Sequence, residues 1–359
     1  MPSGPLTTSR RTIAWSLLLS GPFCAYLMDI PTLIANFPSP SATGYIEWAE
    51  GKVAILDRFH WLAFLDEVFR DVTVGFAPSA MGYDDVSRWM MGPFMGDVGV
   101  WFGVWLCEGG RERGAGFSPV VFALFAQLVG GGVMLPIYYG LFLLFTPAIG
   151  RKDGTQRRID LGKAWIYLPL LFIFHYAPVA GMMYHPSFQS RHYWTWAWQL
   201  YSVRIWLAYE AIRFVIRYLP FRMPNIGKKL SYRASISLLL APLIAISVGM
   251  WTYTLFYCPY PLRDVYFPHP LVEDTWEGRL RRILQFDYLF VNGSGLAWVL
   301  MLLREVRPGG TIKRAVAAVV ATVLVGPAAA LGVLWVWKES LVGGGEEEGN
   351  VVAEKRKVG

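Results

Sequence analysis

The chain has 359 residues, a formal net charge of +7, 54% hydrophobic side chains and only 16% charged ones. Soluble domains carry about 25% charged residues, and the mean hydropathy here is +0.37, so a soluble enzyme and a disordered protein are both excluded. The basic excess belongs on loops that orient a membrane protein, with no nucleic-acid footprint. Cys24, Cys107 and Cys258 are scattered without a Cys-x-x-Cys, which argues against a disulfide framework and a zinc site.

In chain order, stretches of about 20 mostly apolar residues mark membrane helices. Arg10 and Arg11 precede an apolar run from Thr12 to Phe37, long for a signal-peptide core, so a retained first span is expected over 12–35. A shorter, glycine-rich span is expected over 90–107, then clear ones over 117–146 and 162–184, and a Trp-rich one over 193–219. Three more follow over 234–257, 284–303 and 315–337. Segment 57–76 has helical period but six charged residues. The expected fold class is all-α: a polytopic transmembrane helical bundle of eight spans, or nine if 57–76 crosses. It forms one domain over 1–337, followed by a disordered charged tail over 338–359. No internal repeat is evident.

Basic stretches 151–163, 217–233 and 304–314 fall on one side of such a bundle, which makes that side cytosolic. The ending Lys355-Arg356-Lys357 resembles an endoplasmic-reticulum retrieval signal, although this topology puts it in the lumen. The expected location is an integral membrane protein of the endoplasmic reticulum, and the oligomeric state is open.

Ionisable groups inside spans are costly and mark function. In 57–76, Asp66, Arg70 and Thr73 share one helical face with Phe59, and His60, Glu67 and Asp71 share another. Glu67 and Asp71, one turn apart, disfavour each other's ionisation, so one could act as a proton donor. The plain alternative is a solvated interfacial helix with an Asp66–Arg70 pair. Asp287 has apolar flanks in LQFDYLFVNGSGLAWVLMLL, surroundings that hold a carboxyl neutral; its alternative is a bond to a neighbouring helix. His175 faces Leu168, Phe172 and Met182, which supply no evident partner. Glu210 shares its face with Arg213 and Arg217, as a structural ion pair would. Trp194, Trp198, Tyr201 and Tyr209 fall roughly on one face, either as an interfacial belt or as a cavity wall that stabilises a cation.

Absent motifs narrow the chemistry. The nearest approach to an Asp-Asp-x-x-Asp magnesium motif is Asp84-Asp85-Val86-Ser87-Arg88, which lacks the last acid. No P-loop, Rossmann glycine fingerprint, Gly-x-Ser-x-Gly elbow or His-Glu-x-x-His occurs. No metal and no cofactor are expected.

A pattern along most of the chain resembles the fungal integral-membrane terpene cyclases of meroterpenoid biosynthesis, of the ascochlorin and ascofuranone type. It consists of Phe64-Leu65-Asp66, then Pro136-x-Tyr138-Tyr139 before Thr146-Pro147, then His175-Tyr176-x-Pro178, the Trp-rich stretch from Trp194 to Trp206, and Phe286-Asp287-Tyr288-Leu289. The resemblance implies a membrane terpene cyclase, an intramolecular lyase or isomerase of secondary metabolism. It would protonate a terminal epoxide or olefin of a lipophilic epoxyprenyl or prenyl aromatic substrate held within the lipid bilayer, without metal. Asp66 or Asp287 would be the acid, and His175 or Glu67 its partner or the terminal base. Tyr139, Tyr176, Trp198, Tyr201 and Trp298 would wall the cavity. Arg70, one turn from Asp66, would spoil that aspartate as an acid and favours Asp287. The alternatives are a proton-coupled small-molecule transporter and a non-enzymatic membrane scaffold.

Overall fold

The computed structural model describes residues 7–37, 40–109, 118–148, 161–218, 232–269 and 274–358. They are almost entirely helical. The exception is a hairpin of β1 (Tyr45–Trp48) and β2 (Gly51–Ala54), antiparallel with Tyr45 opposite Ala54.

Helix α1 (Thr8–Met28) begins where the Thr7 hydroxyl accepts the Arg10 amide and stops at Asp29, which has φ 49°. Pro31 then starts α2 (Ile30–Asn36). After the hairpin, α3 (Ala63–Gly75) is short and amphipathic, and it begins later than the charged segment does. Long α4 (Asp85–Gly109) is buried from Met90 to Glu108. Then come α5 (Pro119–Val129) and α6 (Gly131–Phe145), followed by α7 (Leu161–Leu171), a π-turn over Phe172–Tyr176 and α8 (Ala177–Tyr184). Next are α9 (Phe188–Trp198), α10 (Tyr201–Tyr218), α11 (Tyr232–Tyr257) and α12 (Leu262–Tyr266). The series ends with α13 (Trp276–Val306), α14 (Thr311–Val325) and α15 (Pro327–Val358).

Among the described residues five helical stretches are long and apolar enough to cross a membrane: Thr8–Ala42, Asp85–Gly109, Trp165–Tyr184, Ala234–Tyr257 and Trp276–Val306. The expected count of eight or nine is not confirmed, because three expected spans are each broken in two. Gly130, with φ 98° and ψ 141°, separates α5 from α6, and Gly326, with φ 93° and ψ 153°, separates α14 from α15. These are glycine conformations that a Cβ would strain. Leu200, with φ 60°, breaks the Trp-rich stretch between α9 and α10. Segment 57–76 yields only the 13 residues of α3. The basic stretches 151–160 and 219–231 lie outside the described residues. Helix α15 continues to Val358, over the stretch expected to be a tail.

Helices α1 and α6 run antiparallel. Cys24 and Met28 lie against Gly132 and Gly130, while at the other end Arg10 donates to Leu143 O at 2.7 Å, to Thr146 O at 2.8 Å and to Glu305 on α13. Helix α5 folds back along α6, with the Phe122 and Tyr138 rings 5.1 Å apart. At the end of α4, buried Glu108 accepts from Lys338 at 2.9 Å and from Trp335 at 2.7 Å, which fastens α15 to it.

Candidate functional site

A cavity of about 410 Å³ lies between α2, α3, α4, the tip of the α5–α6 turn, the α9–α10 junction and α13. Its walls are apolar and aromatic, with Phe94, Trp101, Phe102 and Trp105 of α4 along one side. The αL turn at Leu200 brings Trp198 and Tyr201 together as a stacked pair, ring centroids 5.3 Å apart, on another side. Ile34 (71% exposed) and Val129 (40% exposed) stand at its mouth.

The carboxylate and amide side chains among its lining residues are Asp287, Gln127 and Asp71. Asp287 is held by the start of α6, where the Gly132 amide donates to its Oδ1. A helix N-terminus presents unsatisfied amides and the positive end of the helix dipole, a natural seat for a carboxylate. Gln127 donates to Gln199 at 3.5 Å, while its own Oε1 is buried without a partner, as is the Trp101 Nε1–H. An occupant could therefore accept a bond from Trp101 and donate to Gln127 or Asp287.

The expected site residues divide. Asp287, Trp198 and Tyr201 line the cavity, whereas Tyr139, Tyr176 and Trp298 do not. Tyr139 stacks on Trp298 at 4.7 Å within the core, and Tyr176 donates to Gly96 O at 3.3 Å. His175 is fully buried behind Trp198. The Trp198 indole donates to its Nδ1 at 2.9 Å, so Nε2 carries the hydrogen and donates to Met95 O, also at 2.9 Å. Both partners come from other helices, which a search along its own face could not find, and no ring nitrogen is left for a base.

Asp66 is buried away from the cavity wall. It accepts from the amides of Phe59 (3.2 Å) and His60 (2.8 Å) and from His60 Nδ1 (2.8 Å). The chain before Ala63 is folded back onto α3, so the facing sets drawn for one continuous helix do not form. Arg70 donates to Asp57 O at 3.1 Å and forms no Asp66 pair. Burial alone would raise the Asp66 pKa, but the two amides and the imidazole outweigh it and bring it below the usual carboxylate value. His60 is lowered, by burial foremost, so it sits as a neutral donor. Glu67 points outward, exposed, and Asp71 alone of that pair reaches the cavity.

Sequence reasoning missed Asp97, buried in α4 and bonded by Ser247 Oγ at 2.6 Å and the Tyr288 hydroxyl at 2.9 Å. An aspartate in the apolar run MGDVGVWFGVW satisfies the rule that singled out Asp287. Among the described residues no group of three or more His, Cys, Asp or Glu side chains could hold a metal ion.

Fold and cavity define the class first: a helical protein with membrane-length helices and an aromatic cavity bearing carboxylates. Residues 51–343 match the CtvD domain, and the chain belongs to that family. It is 25% identical over 349 residues to the FAD-dependent monooxygenase verC1 of Penicillium polonicum, covering 90% of this chain and 42% of that protein. It is likewise 25% identical over 358 residues to the FAD-dependent monooxygenase anuJ of Penicillium roqueforti, covering 95% of this chain and 42% of that one. The chain thus spans less than half the length of these relatives. No solved structure matches it.

These names overturn the expected activity. Monooxygenases are oxidoreductases, so the terpene cyclase, lyase or isomerase assignment is withdrawn, along with the transporter and scaffold alternatives. The described residues do not fit FAD. The cofactor's pyrophosphate needs cations or free helix-terminal amides beside a strand–glycine–helix turn. Among the described residues the cavity is lined by two aspartates and by no Lys, Arg or His, and the α6 terminus already holds Asp287. Among the described residues the only sheet is the two-stranded hairpin.

Proposed function

We propose that this chain is the membrane-embedded, substrate-holding part of an FAD-dependent oxygenation system of secondary metabolism, with the flavin carried on other polypeptide. The cavity carries this reading: it is apolar and aromatic, about 410 Å³ in volume, with Asp287 and Gln127 as its inner polar groups. Ligand sites of about 300–1,000 Å³ that are mostly apolar, with a few placed polar groups, hold small lipophilic molecules in one orientation. The two relatives' names supply the reaction class, and the five membrane-length helices supply the setting. The chain's contribution is to take a lipophilic substrate from the bilayer, orient it against Asp287 and Gln127, and keep water away from it. It supplies no redox step.

The test is deletion of the gene from its host, with mass spectrometry of the metabolites. The expected result is loss of an oxygenated product and accumulation of a precursor that lacks an oxygen atom. Complementation with Asp287→Ala should restore little of the product. Accumulation of an isomer with the same mass as the lost product would overturn the oxygenation reading.

A further inference from the structure

The two glycine-broken turns are built alike. Gly130 and Gly326 share nearly the same φ and ψ, and each separates a helix from one that turns back. Two residues beyond each glycine, a main-chain amide meets a buried aspartate: Gly132 meets Asp287 of α13, and Ala328 meets Asp97 of α4. The preceding helices match as well. On α1, Cys24 would lie 2.9 Å from a Cβ at Gly132, and Met28 would lie 3.1 Å from one at Gly130. On α11, Ser247 bonds Asp97, and four residues on, Trp251 would lie 3.0 Å from a Cβ at Gly326. The residue before each aspartate meets the same neighbour: the Cys24 thiol donates to Phe286 O at 3.8 Å, and Gly96 packs beside the Ser247 backbone.

We infer that α1, α4, α5 and α6 form one copy, and α11, α13, α14 and α15 a second copy, of a single four-helix carboxylate site, and that Tyr288 occupies the Asp97 copy as a built-in phenol ligand. The copies are interlocked, because each aspartate takes its amide from the other copy's turn. They differ at the residue after the aspartate. Tyr288 reaches across to Asp97 Oδ2 and fills the space there. Its counterpart, Val98, has no hydroxyl to offer Asp287, and both residues line the open cavity. The Asp97 site therefore takes a hydroxylated aromatic ring as its ligand class. The repeat was not visible in the sequence because packing and backbone conformation carry it, while most paired side chains differ.

This inference goes beyond the oxygenation reading and stands without it. The test uses the full chain with Tyr288→Gly in detergent, its thermal midpoint followed as p-cresol or toluene is added. The truncated side chain is p-cresol, and toluene is the same ring without the hydroxyl. A ligand that binds only the folded state raises the midpoint. The expected result is a dose-dependent rise with p-cresol that exceeds, by about 2 °C or more, both the rise with toluene and any rise in the unsubstituted chain, whose open cavity takes either compound, and loss of the p-cresol advantage when Asp97→Leu is added. Equal effects of the two compounds, or none, would overturn the inference. Should Tyr288→Gly not fold, Val98→Tyr tests the same symmetry from the other side. It should place a hydroxyl on Asp287 and raise the midpoint above that of Val98→Phe, and a midpoint no higher than that of Val98→Phe would sink the proposal.

Discussion

Gly132→Ala tests the contact on which the Asp287 site depends. Within a helix this change ordinarily stabilises by up to about 1 kcal/mol, because alanine has the better propensity. Here the new Cβ would lie 2.9 Å from Asp287 Cα, 2.9 Å from Asp287 O and 2.9 Å from Cys24 Sγ. Two of those atoms are backbone of α13 and the third is a fully buried thiol, so none can swing aside. Overpacking typically costs about 1–3 kcal/mol, and more when backbone must move. The steric cost therefore exceeds the propensity gain, with a net loss of roughly 1–2 kcal/mol. The thermal midpoint should fall by about 1–3 °C. The assay is thermal unfolding in detergent read by a thiol-reactive fluorophore, since Cys24 is sealed in this contact. Gly293→Ala is the control: it is also helical and exposed, and a Cβ there meets nothing within 4 Å. If Gly132→Ala proved as stable as Gly293→Ala, the close packing of α6 on α13 described above would be wrong.

Removing one partner of a buried ion pair leaves an uncompensated charge and costs about 3–5 kcal/mol. Lys338→Met should accordingly destabilise strongly, and adding Glu108→Gln should recover part of the loss in a double-mutant thermal series. His175→Phe leaves the buried Trp198 indole without its partner, whereas Met95 O keeps its place in the α4 ladder, so the change should cost about 1–3 kcal/mol in thermal unfolding. His175→Gln should cost less. Asp66 is lowered in the folded protein, so its contribution is present above its unfolded pKa of about 4 and is lost as pH falls below that toward the folded value. Hydrogen exchange of residues 57–66 should accelerate below about pH 4, whereas the same segment in Asp66→Asn should show no such acid step.

Local composition revealed the helical class and the long spans, because a run such as 234–257 is apolar whatever packs against it. The breaks at Leu200, Gly130 and Gly326 were hidden, since an apolar run looks the same whether it continues or turns back. Asp287 stood out by its apolar flanks, and Trp198 and Tyr201 were found, although the single helical face that suggested them does not exist. The partners of His175 and Asp66 come from other helices or from a folded-back strand of chain, which periodicity along one element does not encode. Asp97 was legible by the rule already in use and was passed over because its helix is glycine-rich and short in hydropathy terms.

The crossed pairing of the two turns bears on how the protein is made. Asp97 lies in an early helix, yet its amide partner is Ala328, and Asp287, made late, completes a seat that residues 130–132 have already formed. During synthesis the first half is therefore made with Asp97 lacking its Ser247, Tyr288 and Ala328 bonds, which form only when the last helices arrive. A chain interrupted before α14 would retain every residue of the cavity wall and still carry a buried carboxylate short of one partner.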